Sequence, residues 1–167
     1  MQVLVPQGSL VVLCGPAGCG KSTFARRGFP ETAIVSSDRL RAMIADDEYE
    51  QAVSGEAFEL FHRIIELRLR RRKLAVADST ALSPEARADL RRLARRAGAP
   101  VTIIVFDLPE ATCLAWDARR ERRVGPAVIR RQWEMLAEAL RRIPGEGYDQ
   151  VVVLGEPDVA AARVDVA

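Results

Sequence analysis

The octapeptide at positions 15–22, GPAGCGKS, constrains the fold of this chain more than any other part of its sequence. It follows an aliphatic run at residues 9–14, which is typical of a buried strand, and leads into residues 21–27, which predict a helix. Its three glycines permit the backbone conformations that a tight connection between two such elements requires. A strand, a glycine-rich loop and a helix in this order favour an α/β fold.

The same octapeptide fits the P-loop pattern G-x-x-x-x-G-K-[ST], which binds the phosphates of a nucleoside triphosphate. In this pattern the loop N–H groups and the helix N-terminus form an anion site. Lys21 reaches the β- and γ-phosphates, and Ser22 places its hydroxyl on a magnesium ion. We therefore expect ATP (or another nucleoside triphosphate) and Mg²⁺ as cofactors. The predicted nucleotide-binding residues of the loop are Gly15, Pro16, Ala17, Gly18, Cys19, Gly20, Lys21, Ser22 and Thr23.

Strand-like and helix-like segments alternate along the rest of the chain. The further strand-like runs are residues 32–36, 74–77, 101–106 and 150–154. Helical patterns occupy residues 52–72 and 125–142, and another helix is expected to start at the Ser83 cap and end at Gly98. The alternation predicts a single α/β domain over residues 1–167, a parallel five-stranded sheet with helices on both faces. The residues after Leu154 are expected to form a short helix or to fray.

Composition excludes several other classes of protein. Apolar residues make up 49% of the chain and charged residues 29%, an ordinary globular balance. No apolar run approaches the roughly 20 residues of a membrane span, and the N-terminus lacks the features of a signal peptide, so we expect a cytoplasmic protein with no membrane partner. Three cysteines and one histidine without metal-ligand spacing argue against zinc. A net charge of +2 does not by itself predict nucleic-acid binding.

Candidate acceptor residues follow the second predicted strand, in the segment SSDRLR at residues 36–41. In open parallel sheets ligands bind at the carboxyl ends of the strands. Asp38 could accept the proton of an attacking hydroxyl, and Arg41, three residues later on the same helical face, could hold an acceptor phosphate. The alternative is that Asp38 only complements the helix dipole and that Arg41 is solvated. Spacing alone favours neither interpretation.

A carboxylate, Asp78, directly follows the third predicted strand. This is the position at which P-loop proteins carry an aspartate that orients magnesium. An aspartate after a strand is also common as a turn or cap residue. The P-loop upstream favours the metal-binding interpretation.

Four arginines lie within the five residues 119–123, before a glycine-proline pair at Gly125. Their mutual repulsion must be offset by an anion or by carboxylates, and arginines over a transferring phosphoryl group have this role in phosphotransferases. The alternative is a solvated basic surface, as we expect for residues 68–73 and 91–96. The position after the fourth strand favours a helical arginine lid at about residues 116–126.

The chain resembles the kinase domain of bacterial polynucleotide kinase–phosphatase, an RNA end-healing enzyme. The resemblance is carried by GPAGCGKSTFARRGF, SSDRLRAMIADDEYEQ, AFELFHRIIELRLRRRKLAVADST, VTIIVFDLPEATC and VGPAVIRRQ. It implies transfer of the γ-phosphoryl group of ATP to the 5′-hydroxyl end of RNA or DNA. It also implies phosphatase and ligase domains or subunits as partners.

The resemblance further implies roles for individual residues. Asp38 would be the general base, and Arg41 and Thr80 would contact the acceptor. Lys21, Arg120 and Arg123 would be catalytic residues, and the two arginines would grip the donor phosphates. Ser22 and Asp78 would bind the metal.

Two positions depart from the pattern of that family. Trp116-Asp117 stands where relatives carry an arginine-asparagine pair, and the lid is about one residue shorter, which makes Arg119 or Arg122 an alternative lid arginine. Ala81 stands where relatives carry asparagine.

Two other functions remain compatible with the motifs. One is a kinase for a small acceptor such as a sugar, a nucleoside or an antibiotic. The other is an ATP-binding switch without an acceptor. Asp38 together with Arg41 favours a kinase over a switch.

Overall fold

The computed structural model describes residues 1–167 and contains two parallel sheets. The elements in chain order are β1 (Gln2–Val5), β2 (Leu10–Cys14), α1 (Lys21–Gly28), β3 (Ile34–Ser36), α2 (Ser37–Ala45), α3 (Ser54–Arg70), β4 (Ala75–Asp78), α4 (Pro84–Ala97), β5 (Val101–Phe106), α5 (Glu110–Ala118), α6 (Pro126–Arg142), β6 (Gln150–Leu154), α7 (Glu156–Ala161) and β7 (Arg163–Val166). The larger sheet has the order β3-β4-β2-β5-β6, and β1 pairs with β7. No helix has both the length and the apolar character that crossing a membrane would require.

The predicted five-stranded parallel sheet with helices on both faces is confirmed. In the central strand β2, Leu10 and Val12 join the apolar core on one face of the sheet, whereas Val11 and Leu13 join the core on the other. Phe61 of α3 packs into the first core, and Phe24 of α1 packs into the second. Because both faces are covered, the strand sequences are continuously apolar rather than alternating.

The helix boundaries follow the predicted caps closely, with one exception. Ser83 Oγ accepts a hydrogen bond from Ala86 N at 3.1 Å at the start of α4, and Gly98 ends this helix with φ 65°. The helix predicted over residues 52–72 is shorter, because Gln51–Val53 form a 3₁₀ turn before α3 and α3 ends at Arg70.

The chain termini form a pair of strands that the sequence patterns did not predict. Residues after Leu154 form α7, one of the two expected outcomes, and then β7. Val5 of β1 pairs with Val166 of β7, and Gln7 N donates a hydrogen bond to Ala167 O at 2.8 Å. The prediction missed this pairing because its two partners lie at opposite ends of the chain, and because neither strand is a continuous apolar run: β1 alternates exposed and buried residues, and β7 contains Arg163 and Asp165.

The lid at residues 116–126 is helical only at its two ends, which corrects the expectation of a helical lid. Residues 119–125 form an irregular loop between α5 and α6. The reason is the carboxylate of Asp117, which accepts hydrogen bonds from Val124 N at 3.1 Å and Gly125 N at 3.0 Å and so bends the chain back onto α5. Gly125 has φ 93°, a conformation that favours glycine.

Candidate nucleotide and acceptor site

The glycine-rich loop lies between the carboxyl end of β2 and the N-terminus of α1. Gly18 and Gly20 have φ values of 74° and 90°, in the left-handed region that other residues adopt at a cost. A Cβ atom on Gly20 would lie 3.1 Å from Val159 Cγ1 of α7. The C-terminal helix α7 therefore supports this loop from one side, in addition to the main sheet.

Lys21 is nearly buried, and its ammonium group lies over the loop. Its Nζ donates hydrogen bonds to Gly15 O at 2.8 Å and Pro16 O at 2.6 Å. The third contact, with Cys19 Sγ at 3.6 Å, is to a weak acceptor that a phosphate oxygen could replace. Burial raises the pKa of the Cys19 thiol, so this side chain is a neutral filler beneath the loop.

The predicted metal residues are in direct contact. Ser22 Oγ donates a hydrogen bond to Asp78 Oδ2 at 2.8 Å, which joins the start of α1 to the end of β4. Burial raises the pKa of the Asp78 carboxyl, against the opposing effects of the Ser22 hydrogen bond and the Lys21 charge. A cation beside this carboxylate would offset its desolvation.

This donor set fits Mg²⁺, which prefers hard oxygen ligands. No group of three or more His, Cys, Asp or Glu side chains is placed to hold a metal ion. Such sparse protein ligation is usual for magnesium, which takes its remaining ligands from substrate phosphates and water. Ser22 and Asp78 are therefore the two residues that could hold such an ion here, with substrate phosphates and water as its remaining ligands.

The predicted acceptor residues also form a pair. Arg41 Nη1 donates to Asp38 Oδ1 at 2.6 Å, and Arg41 Nε donates to Ser54 Oγ at 3.0 Å. The Arg41 guanidinium also lies 5.6 Å from the ring centroid of Phe58. The Arg41 side chain is 11% exposed and the Asp38 side chain 55% exposed, so the alternative of a solvated Arg41 is wrong. A buried arginine thus holds a solvent-facing carboxylate at the start of α2.

Strand register brings the acceptor pair close to the metal pair. Ser36 at the end of β3 is the register partner of Asp78 at the end of β4.

Thr80 lies in the loop between β4 and α4, where its carbonyl accepts a hydrogen bond from Gly15 N at 3.0 Å. Ala81 has φ 47°, which asparagine adopts more readily than alanine does. The family that the sequence resembles carries asparagine at this position, and asparagine would adopt this backbone conformation with less strain than Ala81.

Arg120 of the lid lies directly on the phosphate loop. A Cβ atom on Gly18 would lie 3.3 Å from both Cδ and Nη1 of Arg120. This Nη1 is buried and has no hydrogen-bond partner, and the nearest carboxylate oxygen, Asp117 Oδ1, is 3.7 Å away. Buried donors without a partner are rare in proteins. An anion on the loop would satisfy this donor.

The other lid arginines point elsewhere. Arg123 lines a cleft of about 200 Å³ between α5 and α6, together with Arg130, and makes no hydrogen bond to the loop. Arg122 pairs with Asp47 at 2.9 Å, and Arg119 is exposed. Of the two predicted lid arginines, the structure brings only Arg120 to the phosphate loop.

The sequence analysis assigned no role at the site to three residues that the structure places there. Gln132 Oε1 of α6 accepts a hydrogen bond from Ala17 N at 2.8 Å, and Arg120 Nη2 donates to the Tyr49 hydroxyl at 3.1 Å. The indole of Trp116 would lie 3.5 Å from a Cβ atom on Gly20. The polar Gln132 lies on the apolar stripe of α6, which was a usable signal. Nothing local marked Tyr49.

Comparison with known proteins relates this geometry to a family. A family described as an AAA domain matches residues 10–143. No curated protein matches the sequence significantly.

Several solved structures share the fold at low sequence identity. A chain of the Pnkp1/Rnl/Hen1 RNA repair complex is 21% identical with a TM-score of 0.70, and the match covers 85% of this chain and 47% of that one. This chain therefore spans about half the length of the repair-complex chain. A gluconokinase from Sinorhizobium meliloti is 18% identical with a TM-score of 0.57, covering 90% and 83% of the two chains. The Mycobacterium tuberculosis APS kinase CysC is 19% identical with a TM-score of 0.56, covering 90% of each chain.

Proposed function

Because the chain belongs to the AAA-domain family and has the fold of P-loop kinases, we propose that it is a 5′-hydroxyl polynucleotide kinase. In this reaction the γ-phosphoryl group of ATP moves to the 5′-hydroxyl end of RNA or DNA. The observation that carries the proposal is the solvent-facing Asp38 carboxylate, held by the buried Arg41 next to the Ser22–Asp78 pair.

Each residue of the site has a different role in the proposed reaction. Lys21, the loop N–H groups and Arg120 bind the donor phosphates, and Asp38 orients the acceptor hydroxyl and takes its proton. A bond forms between the acceptor oxygen and the γ-phosphorus, and the bond from this phosphorus to the β–γ bridging oxygen breaks. Ser22 and Asp78 would hold Mg²⁺, which would supply neutralisation of the phosphate charge. Arg41 would hold a phosphate of the acceptor strand.

Two features support a nucleic-acid acceptor. The sequence resembles a polynucleotide kinase domain through most of its length, including the segment around Asp38 and Arg41. Among the three structures compared, the repair-complex chain has a TM-score of 0.70, against 0.57 and 0.56 for the two small-molecule kinases. Since that chain is about twice as long, we also propose that phosphatase and ligase activities reside on partner domains or subunits.

A kinase for a small acceptor is the second candidate, and one observation favours it. The match covers 83% of the gluconokinase and 90% of the APS kinase, but only 47% of the repair-complex chain. The stretch at residues 46–50, next to the acceptor pair, also contains four acidic residues. A polyanionic strand would be repelled by these charges unless Arg122 and other arginines offset them.

The test measures transfer of label from γ-labelled ATP in the presence of Mg²⁺. The acceptors are RNA and DNA oligonucleotides with a 5′-hydroxyl end, with 5′-phosphorylated oligonucleotides as controls, and gluconate and adenosine phosphosulfate as small acceptors. We expect label only on the 5′-hydroxyl strands. Label on a small acceptor, or release of phosphate to water alone, would refute the polynucleotide assignment.

A variant pair tests the base. Asp38→Asn keeps the size of the side chain and an oxygen for Arg41, but removes the base, and should lower the rate about 100-fold or more. Asp89→Asn is the matched control, because Asp89 forms an arginine pair of the same i,i+3 spacing with Arg92 at 2.8 Å on the surface of α4. A full rate in Asp38→Asn would rule out its role as the base.

A further inference from the structure

The segment between α2 and α3 reaches across the site and contacts the lid. We call residues 46–50 of this segment the acceptor-side loop. Within it, Asp47 pairs with the Arg122 guanidinium at 2.9 Å, and the Tyr49 hydroxyl donates a hydrogen bond to Arg122 O at 3.1 Å. The Arg122 guanidinium also lies 4.7 Å from the ring centroid of Tyr49. The irregular lid is therefore held mainly by contacts with this loop on one side and with Asp117 on the other.

The Tyr49 oxygen makes a second contact, and this one determines the orientation of Arg120. Arg120 Nη2 donates to the Tyr49 hydroxyl at 3.1 Å, while Nη1 of the same guanidinium lies unpartnered over Gly18. A guanidinium group is planar and rigid, so a bond at Nη2 also sets the direction of Nη1. Burial raises the pKa of Tyr49, so its phenol stays protonated and can donate to Arg122 O at neutral pH.

The acceptor-side loop is also continuous with the residues that face the acceptor. Helix α2 carries Asp38 and Arg41, and Asp46 ends this helix with φ 60°, three residues before Tyr49. The Tyr49 hydroxyl and the Asp47–Arg122 ion pair together connect this loop to the lid. Of these contacts, only the one from the Tyr49 hydroxyl reaches Arg120.

We propose that Tyr49 is a positioning residue that holds Arg120 with its free Nη1 toward the donor phosphates. The proposal rests on the proposed P-loop kinase function but not on the identity of the acceptor. Tyr49 itself makes no hydrogen bond to the phosphate loop or to the metal pair, so it acts through Arg120.

The first experiment uses Tyr49→Phe, which keeps the ring under Arg122 but removes both hydrogen bonds of the hydroxyl. Trypsin cleavage after the arginines of residues 119–123, mapped by mass spectrometry without nucleotide, reports how firmly the lid is held. We expect cleavage about fivefold faster in the variant, the effect of about one net hydrogen bond. Tyr148→Phe is the matched control, since the Tyr148 hydroxyl also contacts an arginine, Arg91, at 3.2 Å, away from the lid. Equal cleavage in all three proteins would overturn the proposal.

The second experiment is a double-mutant cycle on phosphoryl transfer, with whichever acceptor takes the label. Tyr49→Phe should lower kcat about tenfold and change KM for ATP less, because the lid arginine acts on charge that develops during transfer. In an Arg120→Ala background it should have no further effect, since its influence passes through Arg120. Additive effects, or an equal loss in Tyr148→Phe, would show a merely structural role.

The two experiments separate this proposal from the proposed function. If oligonucleotides accept no phosphate, the cleavage assay and a titration with a fluorescent ATP analogue still decide whether Tyr49 holds the lid. If transfer occurs but the cycle is additive, the kinase assignment stands and the role of Tyr49 is refuted.

Discussion

Arg87 of α4 offers the sharpest test of how the loop behind the acceptor residues is held. Its side chain is fully buried, and it donates to Ala81 O at 3.1 Å and Leu82 O at 2.8 Å. Two more donors, Nε and Nη2, bind the Glu146 carboxylate at distances of 2.8–3.2 Å. The same carboxylate accepts a hydrogen bond from Arg91 at 3.0 Å. This ion pair therefore fixes the loop that follows Asp78.

We predict that Arg87→Met destabilises the fold by about 3–5 kcal/mol, the usual cost of breaking a buried ion pair on one side. Glu146 would lose its main partner, and the carbonyl groups of Ala81 and Leu82 would lose their donor. At about 2–4 °C per kcal/mol for a domain of this size, the melting temperature should fall by roughly 6–20 °C.

The assay is thermal and urea unfolding followed by circular dichroism, with Arg92→Met as the control, because Arg92 forms a surface pair with Asp89. The control should change stability by less than about 1 kcal/mol. A loss below about 1 kcal/mol for Arg87→Met would show that the buried pair is replaced without cost, and would refute the reasoning.

The same pair predicts a pH dependence of stability. Burial alone would raise the pKa of Glu146, but the hydrogen bonds and charges of Arg87 and Arg91 outweigh burial and hold this pKa below its usual value. A depressed carboxyl pKa contributes stability that is present above the unfolded value of about 4.3 and is lost as the pH falls through the folded value. Urea unfolding between pH 7 and pH 3 should show this loss in the wild type. It should be smaller in Glu146→Gln.

Three further predictions concern the nucleotide site. Asp78→Asn should lower the rate about 100-fold and raise the Mg²⁺ concentration needed for half-maximal rate, while ATP binding without metal stays within about twofold; a metal titration of activity checks this. Gln132→Ala frees the Ala17 N–H group for a phosphate and should lower the Kd for ATP about threefold in a fluorescence titration; weaker binding would instead show that Gln132 contacts the nucleotide. Gly18→Ala places a Cβ atom against Arg120 at 3.3 Å in a left-handed conformation; it should weaken ATP binding about tenfold or more by calorimetry.

Local patterns in the sequence were sufficient to predict most of the fold. The P-loop octapeptide, the Ser83 cap and the Gly98 terminus each depend on residues within one or two turns of one another, and the structure has them where they were predicted. The aliphatic runs predicted all five strands of the main sheet, because strands buried on both faces leave a continuous apolar signal. The same local patterns identified Ser22 as part of the octapeptide, and Asp38 and Asp78 as residues at the ends of predicted strands. Arg41 followed from its spacing of three residues from Asp38.

Local patterns failed at two features, the conformation of the lid and the pairing of β1 with β7. Charge density and a glycine-proline pair indicated a lid, but only the folded chain shows that Asp117 binds Val124 N and Gly125 N and so excludes a helix there. Strand β1 alternates exposed and buried residues, and β7 carries Arg163 and Asp165, so neither has the continuous apolar run that marked the main sheet. Their pairing also depends on the two chain ends meeting.

The chemistry available at the phosphate loop was therefore encoded locally, in a contiguous run of residue types whose backbone and side chains bind phosphate in any chain that places them between a strand and a helix. Tertiary structure decided which distant groups complete the site. Tyr49 meets Arg120 from 71 residues away, and Gln132 meets Ala17 from 115 residues away. Tertiary contacts also determine that Arg120, and not Arg123, lies on the phosphate loop. The sequence does not fix the side-chain direction of an arginine in an irregular loop, which depends on packing and hydrogen bonds. Such contacts depend on how whole elements pack, and no local pattern carries that information.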